Sequence, residues 1–390
     1  MLPSLALLQL IAVSLLAHVA LAGSRVTTSL YAISLHASEF TIGSLIALYS
    51  LFPMLLAVPA GRAIDRMGML RPMLAGAAAV ALGCALPGLV GGLAILYVAS
   101  VLMGTGFMVI QVAAQHSVGV MSNDAQRASN YSWLALGFSI SGFCGPVTAG
   151  FIIDHARHGV SFLGFACVAL CSLALIGCGP LRRAGQADAS EHARPSAGGS
   201  AMELLRDGDM RRIYFVGTLL SSAWDLFTFV TPINGTRLGF SASTIGLILG
   251  SFSAATFAVR LIMPWVSKRL SEWQILTAAL SLAVLCYLMF PFMHAAHSVM
   301  LVAALLGFAV GSAQPNMLAL LHHTSPPGRA AEAVGMRVTI GNACQVVLPL
   351  AFGGAGAALG LQAVFWGMGA MIGAGVPTAW RKAHRPLGKY

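Results

Sequence analysis

The chain has 390 residues, of which 57% are hydrophobic and only 9% are charged. Soluble domains carry roughly 25% charged residues, so this composition excludes a disordered chain and argues against a soluble globular protein. A membrane-spanning helix needs about 20 mostly apolar residues. The chain holds enough apolar residues for about a dozen such helices, and we therefore expect a polytopic membrane protein.

Six apolar runs, one polar stretch and six further apolar runs follow one another along the chain. The runs lie at about 5–35, 41–61, 71–90, 93–120, 129–153, 159–180, 211–234, 242–267, 272–293, 298–321, 333–355 and 358–380. The first run lacks the basic start of a signal peptide and is expected to be retained. We predict an all-α membrane fold with 12 transmembrane helices: an N-terminal six-helix bundle (1–180), a cytoplasmic linker (181–209), a C-terminal six-helix bundle (210–380) and a cytoplasmic tail (381–390).

The basic residues are distributed unevenly between the two sides of these predicted helices. Of the 22 Lys and Arg residues, 17 fall on the loops and ends that share a side with the chain termini. Short loops rich in Lys and Arg stay on the cytoplasmic side. We therefore expect a multi-pass protein of the inner (plasma) membrane with both termini cytoplasmic. This asymmetry also explains the net charge of +10 without nucleic acid as a partner.

Short sequences recur between the two halves of the chain. Thr-Ile-Gly stands at 41–43 and again at 244–246, an offset of 203 residues. Gly145-Pro146 is answered by Leu348-Pro349 at the same offset. The chain is thus predicted to contain one six-helix unit twice, an arrangement found in transporters with a substrate site between the two units.

A motif between the second and third runs carries a family resemblance. The stretch GRAIDRMGMLRP, residues 61–72, resembles the loop signature of the major facilitator superfamily. Gly61, Asp65, Arg66 and Gly68 match that signature residue by residue. The resemblance implies a cytoplasmic gating loop that holds the two halves together, with the glycines permitting close approach and a tight turn. The equivalent stretch of the second half keeps only the basic pair Lys268-Arg269.

The fifth run contains a second stretch of this kind, GFSISGFCGPVTAG at 137–150. It resembles the Gly-Pro signature of the drug and metabolite exporters of the superfamily, and Gly145 and Pro146 are expected to let the helix bend. Ser141 stands where that signature prefers glycine, and Ser100 stands where the exporters carry an arginine. The proton-linked role of that arginine therefore does not transfer to this chain.

Asp225 lies deep within the seventh apolar run. Ionisable side chains inside a membrane are costly unless they are paired or hydrated, so each is a functional candidate. A buried carboxylate that exchanges a proton during the conformational cycle would couple transport to protons. The alternative is a permanent ion pair with Arg260 or Arg25 that holds helices in register.

Three arginines within or at the edge of apolar runs oppose this one acid. Arg25, Arg260 and Arg337 would give a positively charged cavity that favours anionic substrates, unless Arg337 pairs with Glu332 and Arg260 with Asp225. Neutral polar residues on the same predicted helices are further candidates for substrate contact, or for helix-to-helix hydrogen bonds: Gln111, Gln115, Asn234, Gln314, Asn316 and Asn342.

The sequence carries no motif for catalysis, so we expect no enzyme, no cofactor and no metal site. We predict a monomeric secondary transporter in the lipid bilayer that moves a small-molecule substrate by alternating access. Proton-coupled efflux of a drug or metabolite, including a siderophore-like one, is the first hypothesis. Proton-coupled uptake of an organic anion is the second, and a non-transporting membrane sensor on the same fold is the third.

Overall fold

The computed structural model describes residues 4–121, 124–181, 205–325 and 330–384. Secondary structure within these ranges is helical, with one short 3-10 helix at Phe290–Phe292. The helices of the first half are α1 (Leu5–Ser34), α2 (Glu39–Met67), α3 (Leu70–Leu89), α4 (Leu93–Met121), α5 (Asp124–His155) and α6 (His158–Gly177). Those of the second half are α7 (Gly208–Arg237), α8 (Ala242–Val266), α9 (Glu272–Met289), α10 (Ala296–Thr324), α11 (Ala330–Leu359), α12 (Leu361–Gly373) and α13 (Val376–Ala383).

Each of the first 11 predicted runs corresponds to one helix that is long and apolar enough to cross a membrane. The last predicted run is divided instead into α12, of 13 residues, and α13, of 8 residues. Gly360 has a φ of 84°, which ends α11 just before α12 begins. Glycine at 373 and 375 weakens the helix after α12, and the proline at the start of α13 cannot donate a backbone hydrogen bond.

Successive helices cross the bundle in opposite directions, which defines two faces. We call the face where α1 begins the proximal face and the opposite one the distal face. On the proximal face, Lys382 of α13 pairs with Asp209 of α7 at 2.6 Å. On the same face, the Gln9 side chain of α1 donates to the carbonyl of Cys178 just after α6, at 2.5 Å. The ends of both halves are thus fixed by polar contacts at this face.

The predicted repeat is visible in how helices pack inside each half. In the first half, a Cβ on Gly104 of α4 would overlap the backbone of Tyr49 on α2. In the second half, a Cβ on Gly307 of α10 would overlap the backbone of Phe252 on α8. Both pairs are related by the same 203-residue offset. The two halves therefore repeat one packing arrangement, in line with the recurring sequences.

The stretch predicted as a gating loop is mostly helical. Helix α2 continues to Met67, so Gly61, Asp65 and Arg66 lie within it. Gly68 follows with a φ of 72° and provides the tight turn before α3. By contrast, a Cβ on Gly61 would have no neighbour within 4 Å. The expected close approach at Gly61 is therefore wrong for this conformation, whereas the turn at Gly68 is present.

The predicted linker lies mostly outside the described residues. Helix α7 begins at Gly208, two residues earlier than predicted, because the Asp207 side chain accepts from the amides of Asp209 and Met210 at 2.8 Å each. This N-cap satisfies two of the amides that a helix start leaves unpaired.

Candidate functional site

The two halves contact each other chiefly along two helix pairs, α2 with α11 and α5 with α8, with smaller contacts of α1 and α2 against α7. The described polar contacts between the halves lie at the distal face or near the middle of the bundle. At the distal face, Glu39 of α2 forms an ion pair with Arg237 of α7. Near the middle, Ser50 of α2 donates to Gln345 of α11 at 2.8 Å. These contacts close the distal side of the space between the halves.

Asp225 lies near the middle of α7 and is 5% exposed. Its position follows from the sequence of α7, in which a long apolar run places this residue among buried neighbours on both sides. The Gln345 side chain is within hydrogen-bonding reach of the Asp225 carboxylate. Asp225 is thus a buried acid on α7, which also packs against α1 of the other half.

Arg25 of α1 is the basic residue that faces Asp225. The two side chains interact electrostatically across the boundary between the halves, and Arg25 also lies near Tyr49 of α2. Within the described chain they form no ion pair, and the Arg25 Nη2 is buried without a hydrogen-bond partner. The arrangement holds opposite charges close together while leaving donor capacity on Arg25 unused.

Two neutral side chains complete this group. Ser50 donates to the side-chain oxygen of Gln345 at 2.8 Å, and the same Gln345 side chain lies within reach of Asp225. The hydroxyl of the neighbouring Tyr49 is hydrogen-bonded to Thr28 of α1 at 3.0 Å. Ser50 was not among the predicted site residues, because nothing in the local sequence of α2 distinguishes it from other polar residues on apolar helices.

Arg260 does not pair with Asp225, so this alternative for the buried acid is wrong. Its Nη1 donates to Ser139 of α5 at 2.7 Å, and its Nη2 donates to the side-chain oxygen of Gln314 on α10 at 2.8 Å. The guanidinium therefore joins the two halves through neutral partners. It lies apart from Asp225 and Arg25.

A comparison with protein families matches residues 10–349 to the Major Facilitator Superfamily. The chain belongs to the major facilitator superfamily. Solved transporter structures share its fold: a POT family transporter in complex with a thioalcohol-conjugated peptide has a TM-score of 0.79 at 14% identity, covering 96% of this chain and 95% of that one. A POT family transporter with 5-aminolevulinic acid gives 0.78 at 14% identity, with the same two coverages.

A mutant of the nucleoside transporter NupG gives a TM-score of 0.78 at 13% identity, covering 96% of this chain and 99% of that one. No curated protein matches the sequence. These identities are low enough that the likeness establishes the fold alone, which is that of a membrane transporter. The family membership itself establishes a multi-pass membrane protein with a role in transport.

The remaining predicted site residues of this superfamily member differ in their surroundings. Asn316 is buried and donates to the carbonyl of Ser312 on its own helix at 2.7 Å, so it is committed to packing in α10. Asn234 lines a small cavity of about 10 Å³ whose described lining belongs to the second half alone. Neither side chain therefore reaches the space between the halves in this conformation.

Four other predicted contacts have fewer defined partners. Arg337 is half-buried near the proximal end of α11, and its Nε has no hydrogen-bond partner within the described chain. The side chain of Glu332, its predicted partner, lies outside the described residues. Gln111 and Asn342 are half-buried, whereas Gln115 is exposed.

The Gly-Pro stretch lies in the middle of α5, which continues through Pro146 as one helix. A Cβ on Gly145 would lie 2.8 Å from the Gly23 backbone nitrogen of α1, so this glycine permits close packing within the first half. Ser100, at the position where the exporters carry arginine, is fully buried and donates to the Leu96 carbonyl of its own helix at 2.8 Å. Bending at Gly145 and Pro146 stays a prediction.

Proposed function

We propose that the protein is a proton-coupled secondary transporter that exports a drug or metabolite, including siderophore-like solutes, across the inner membrane by alternating access. The proximal face is then cytoplasmic, as the 17 basic residues on the side of the termini favour. Gln111 and Asn342, which are half-buried, and Gln115, which is exposed, are candidates for solute contact. The Gly-Pro stretch of α5 supports export through its resemblance to the exporter signature.

The position of Asp225 between the halves is the observation that carries this proposal. A carboxylate at a buried interface is stable when it is ionised next to a cation or when it binds a proton. Arg25 belongs to the other half, so its distance from Asp225 changes when the halves move. A proton taken up in one conformation would therefore be released in the other, which links proton movement to solute movement.

Transport by purified protein in proteoliposomes tests this coupling. A labelled solute panel is offered with and without a pH gradient, and Asp225→Asn is compared with the unchanged protein. We expect the substitution to abolish gradient-driven accumulation while solute exchange at equal pH continues. Asp209→Asn is the matched control, because Asp209 is an acid on the same helix that pairs with Arg212 and Lys382 at the proximal face.

Gradient-driven accumulation that survives Asp225→Asn contradicts proton coupling at this site. If the variant does not insert, Asp225→Glu is used, and its pH dependence of transport is expected to shift relative to the control. Loss of exchange together with loss of accumulation, in a protein that is folded, would favour a structural role for Asp225.

A second candidate function is proton-coupled uptake of an organic anion. It is favoured by three arginines on the membrane-spanning helices: Arg25 has an unpaired Nη2, Arg260 contacts neutral groups, and Arg337 has an unpaired Nε. Arginine binds carboxylates with two parallel hydrogen bonds. Arg25→Gln should then weaken binding of carboxylate solutes more than that of their amides, which a competition panel measures. Equal weakening of acids and amides contradicts an anionic substrate.

A further inference from the structure

On the distal side the two halves contact each other at two equivalent helix crossings, each formed by one copy of the Thr-Ile-Gly motif. A Cβ on Gly246 of α8 would lie 2.5 Å from the carbonyl oxygen of Pro146 on α5, and a Cβ on Gly43 of α2 would overlap the carbonyl oxygen of Pro349 on α11. Each Thr-Ile-Gly motif of one half thus packs against the proline segment of the other half. The two crossings are related by the same 203-residue offset as the sequence repeat.

One helical turn closer to the distal face, the same pattern appears again. A Cβ on Gly150 of α5 would lie 2.7 Å from the carbonyl carbon of Ala242, and a Cβ on Gly353 of α11 would lie 2.8 Å from the carbonyl oxygen of Glu39. At these four points backbone meets backbone. Backbones this close require the distal ends of the two halves to be packed together. The contact therefore belongs to the conformation in which the distal side is closed, called here the distal-closed state.

The two crossings differ in where their acidic group comes from. Helix α2 begins with its own acid, Glu39, which pairs with Arg237 of the other half. Helix α8 has Ala242 at the equivalent position, and its first two amides instead donate to Asp154 of α5, at 2.9 Å from Ala242 and 2.7 Å from Ser243. The N-cap residue Ser241 accepts from the amide of Thr244 at 3.2 Å, and its hydroxyl also lies within reach of Asp154.

Helix α8 therefore depends on the other half for part of its N-terminal cap. The first amides of a helix are unpaired within the helix and carry a partial positive charge, so a carboxylate stabilises them. When the distal side opens, α5 and α8 separate, and water has to replace Asp154 at both amides. Asp154 and Glu39 are the acidic residues that the described chain places at distal helix ends, and both join the halves.

We propose that Asp154 is a positioning residue of the transport cycle, which favours the distal-closed state by capping a helix of the opposite half. The proposal does not depend on the transported solute or the coupling ion. Loss of a helix cap changes an equilibrium by a factor of about 5 to 30. Removal of Asp154 should shift the population toward the distal-open state by a factor of this size.

Hydrogen exchange of the full chain in lipid nanodiscs, followed by mass spectrometry, tests the proposal. The variant Asp154→Ala is compared with Ser241→Ala, which removes the cap that α8 supplies to itself and leaves the hydrogen bonds of the Ala242 and Ser243 amides to Asp154 in place. We expect Ser241→Ala to accelerate exchange only at the start of α8. Asp154→Ala should also accelerate exchange at the start of α2, by about 5-fold to 30-fold, because the whole distal side opens.

Faster exchange confined to the start of α8 in Asp154→Ala would make this residue an ordinary local cap and overturn the proposal. The variant Asp154→Asn, which removes the charge and keeps one oxygen acceptor, serves where the alanine variant does not insert. It is expected to accelerate exchange at the starts of both helices by a smaller factor. Unchanged exchange at the start of α2 in Asp154→Asn also overturns the proposal.

Discussion

Replacing Gly246 by alanine should open the distal side of the protein. A Cβ at this position would lie 2.5 Å from the Pro146 carbonyl oxygen, 0.5 Å closer than the 3.0 Å limit that Cβ atoms keep. Pro146 belongs to the backbone of α5, so no side-chain rotation relieves the overlap and the two helices must separate. Overpacking of this kind costs about 1–3 kcal/mol. We expect the distal-closed population to fall relative to the distal-open one by about 5-fold to 150-fold.

Access from the distal side is the quantity to measure, by hydrogen exchange at the starts of α2 and α8 in nanodiscs. Gly341→Ala in α11 is the matched control, because a Cβ there has no neighbour within 4 Å. Both substitutions raise the helix propensity by the same amount, about 1 kcal/mol. The difference in hydrogen exchange between the two variants therefore reports the effect of the helix crossing alone. Thermal unfolding of both variants distinguishes opening from loss of the fold. Equal exchange in the two variants would refute the argument that the crossing requires glycine.

Three further outcomes follow from described contacts. The ion pair of Glu39 and Arg237 joins the halves, so a double-mutant cycle of the two alanine variants, read by distal hydrogen exchange, should give a coupling of about 1 kcal/mol; no coupling contradicts the pair. Asn316→Ala should lower thermal stability by about 1 kcal/mol, because the Asn316 amide donates within its own helix. Substrate preference in a competition panel should stay unchanged, and a changed preference would show that Asn316 contacts the solute. Arg260→Lys should lose one of two hydrogen bonds and lower stability by about 1 kcal/mol. Ser139→Ala should then lower stability less in the Arg260→Lys variant than in the unchanged protein.

The sequence predicted the fold in detail because membrane helices are specified locally. Within a bilayer every backbone polar group has to be paired inside its own segment, so an apolar run of sufficient length becomes a helix. The starts of α2 and α8 were predicted within two residues, since Ser38 and Ser241 cap them. The division of the last run into α12 and α13 was missed, because its glycines interrupt the helix without lowering its hydrophobicity.

The candidate site was predicted in part. Asp225 and Arg25 could be identified because ionisable residues in an apolar run are conspicuous. Their juxtaposition, and the assignment of Arg260 to Ser139 and Gln314 instead of Asp225, depend on how α1, α5, α7 and α10 are arranged around one another. No periodicity in a single helix contains that information.

The sequence by itself predicted the first 11 spanning helices, the single internal repeat and the few buried charges. Only the tertiary structure decided what the repeat does: the Thr-Ile-Gly motif of each half packs on the proline segment of the other, and Asp154 caps a helix 88 residues away in the chain. Hydrophobicity and helix propensity depend on the residues of a single segment, so they can be evaluated from its sequence. A backbone crossing or a cap between halves depends on distances that exist only after the helices have packed.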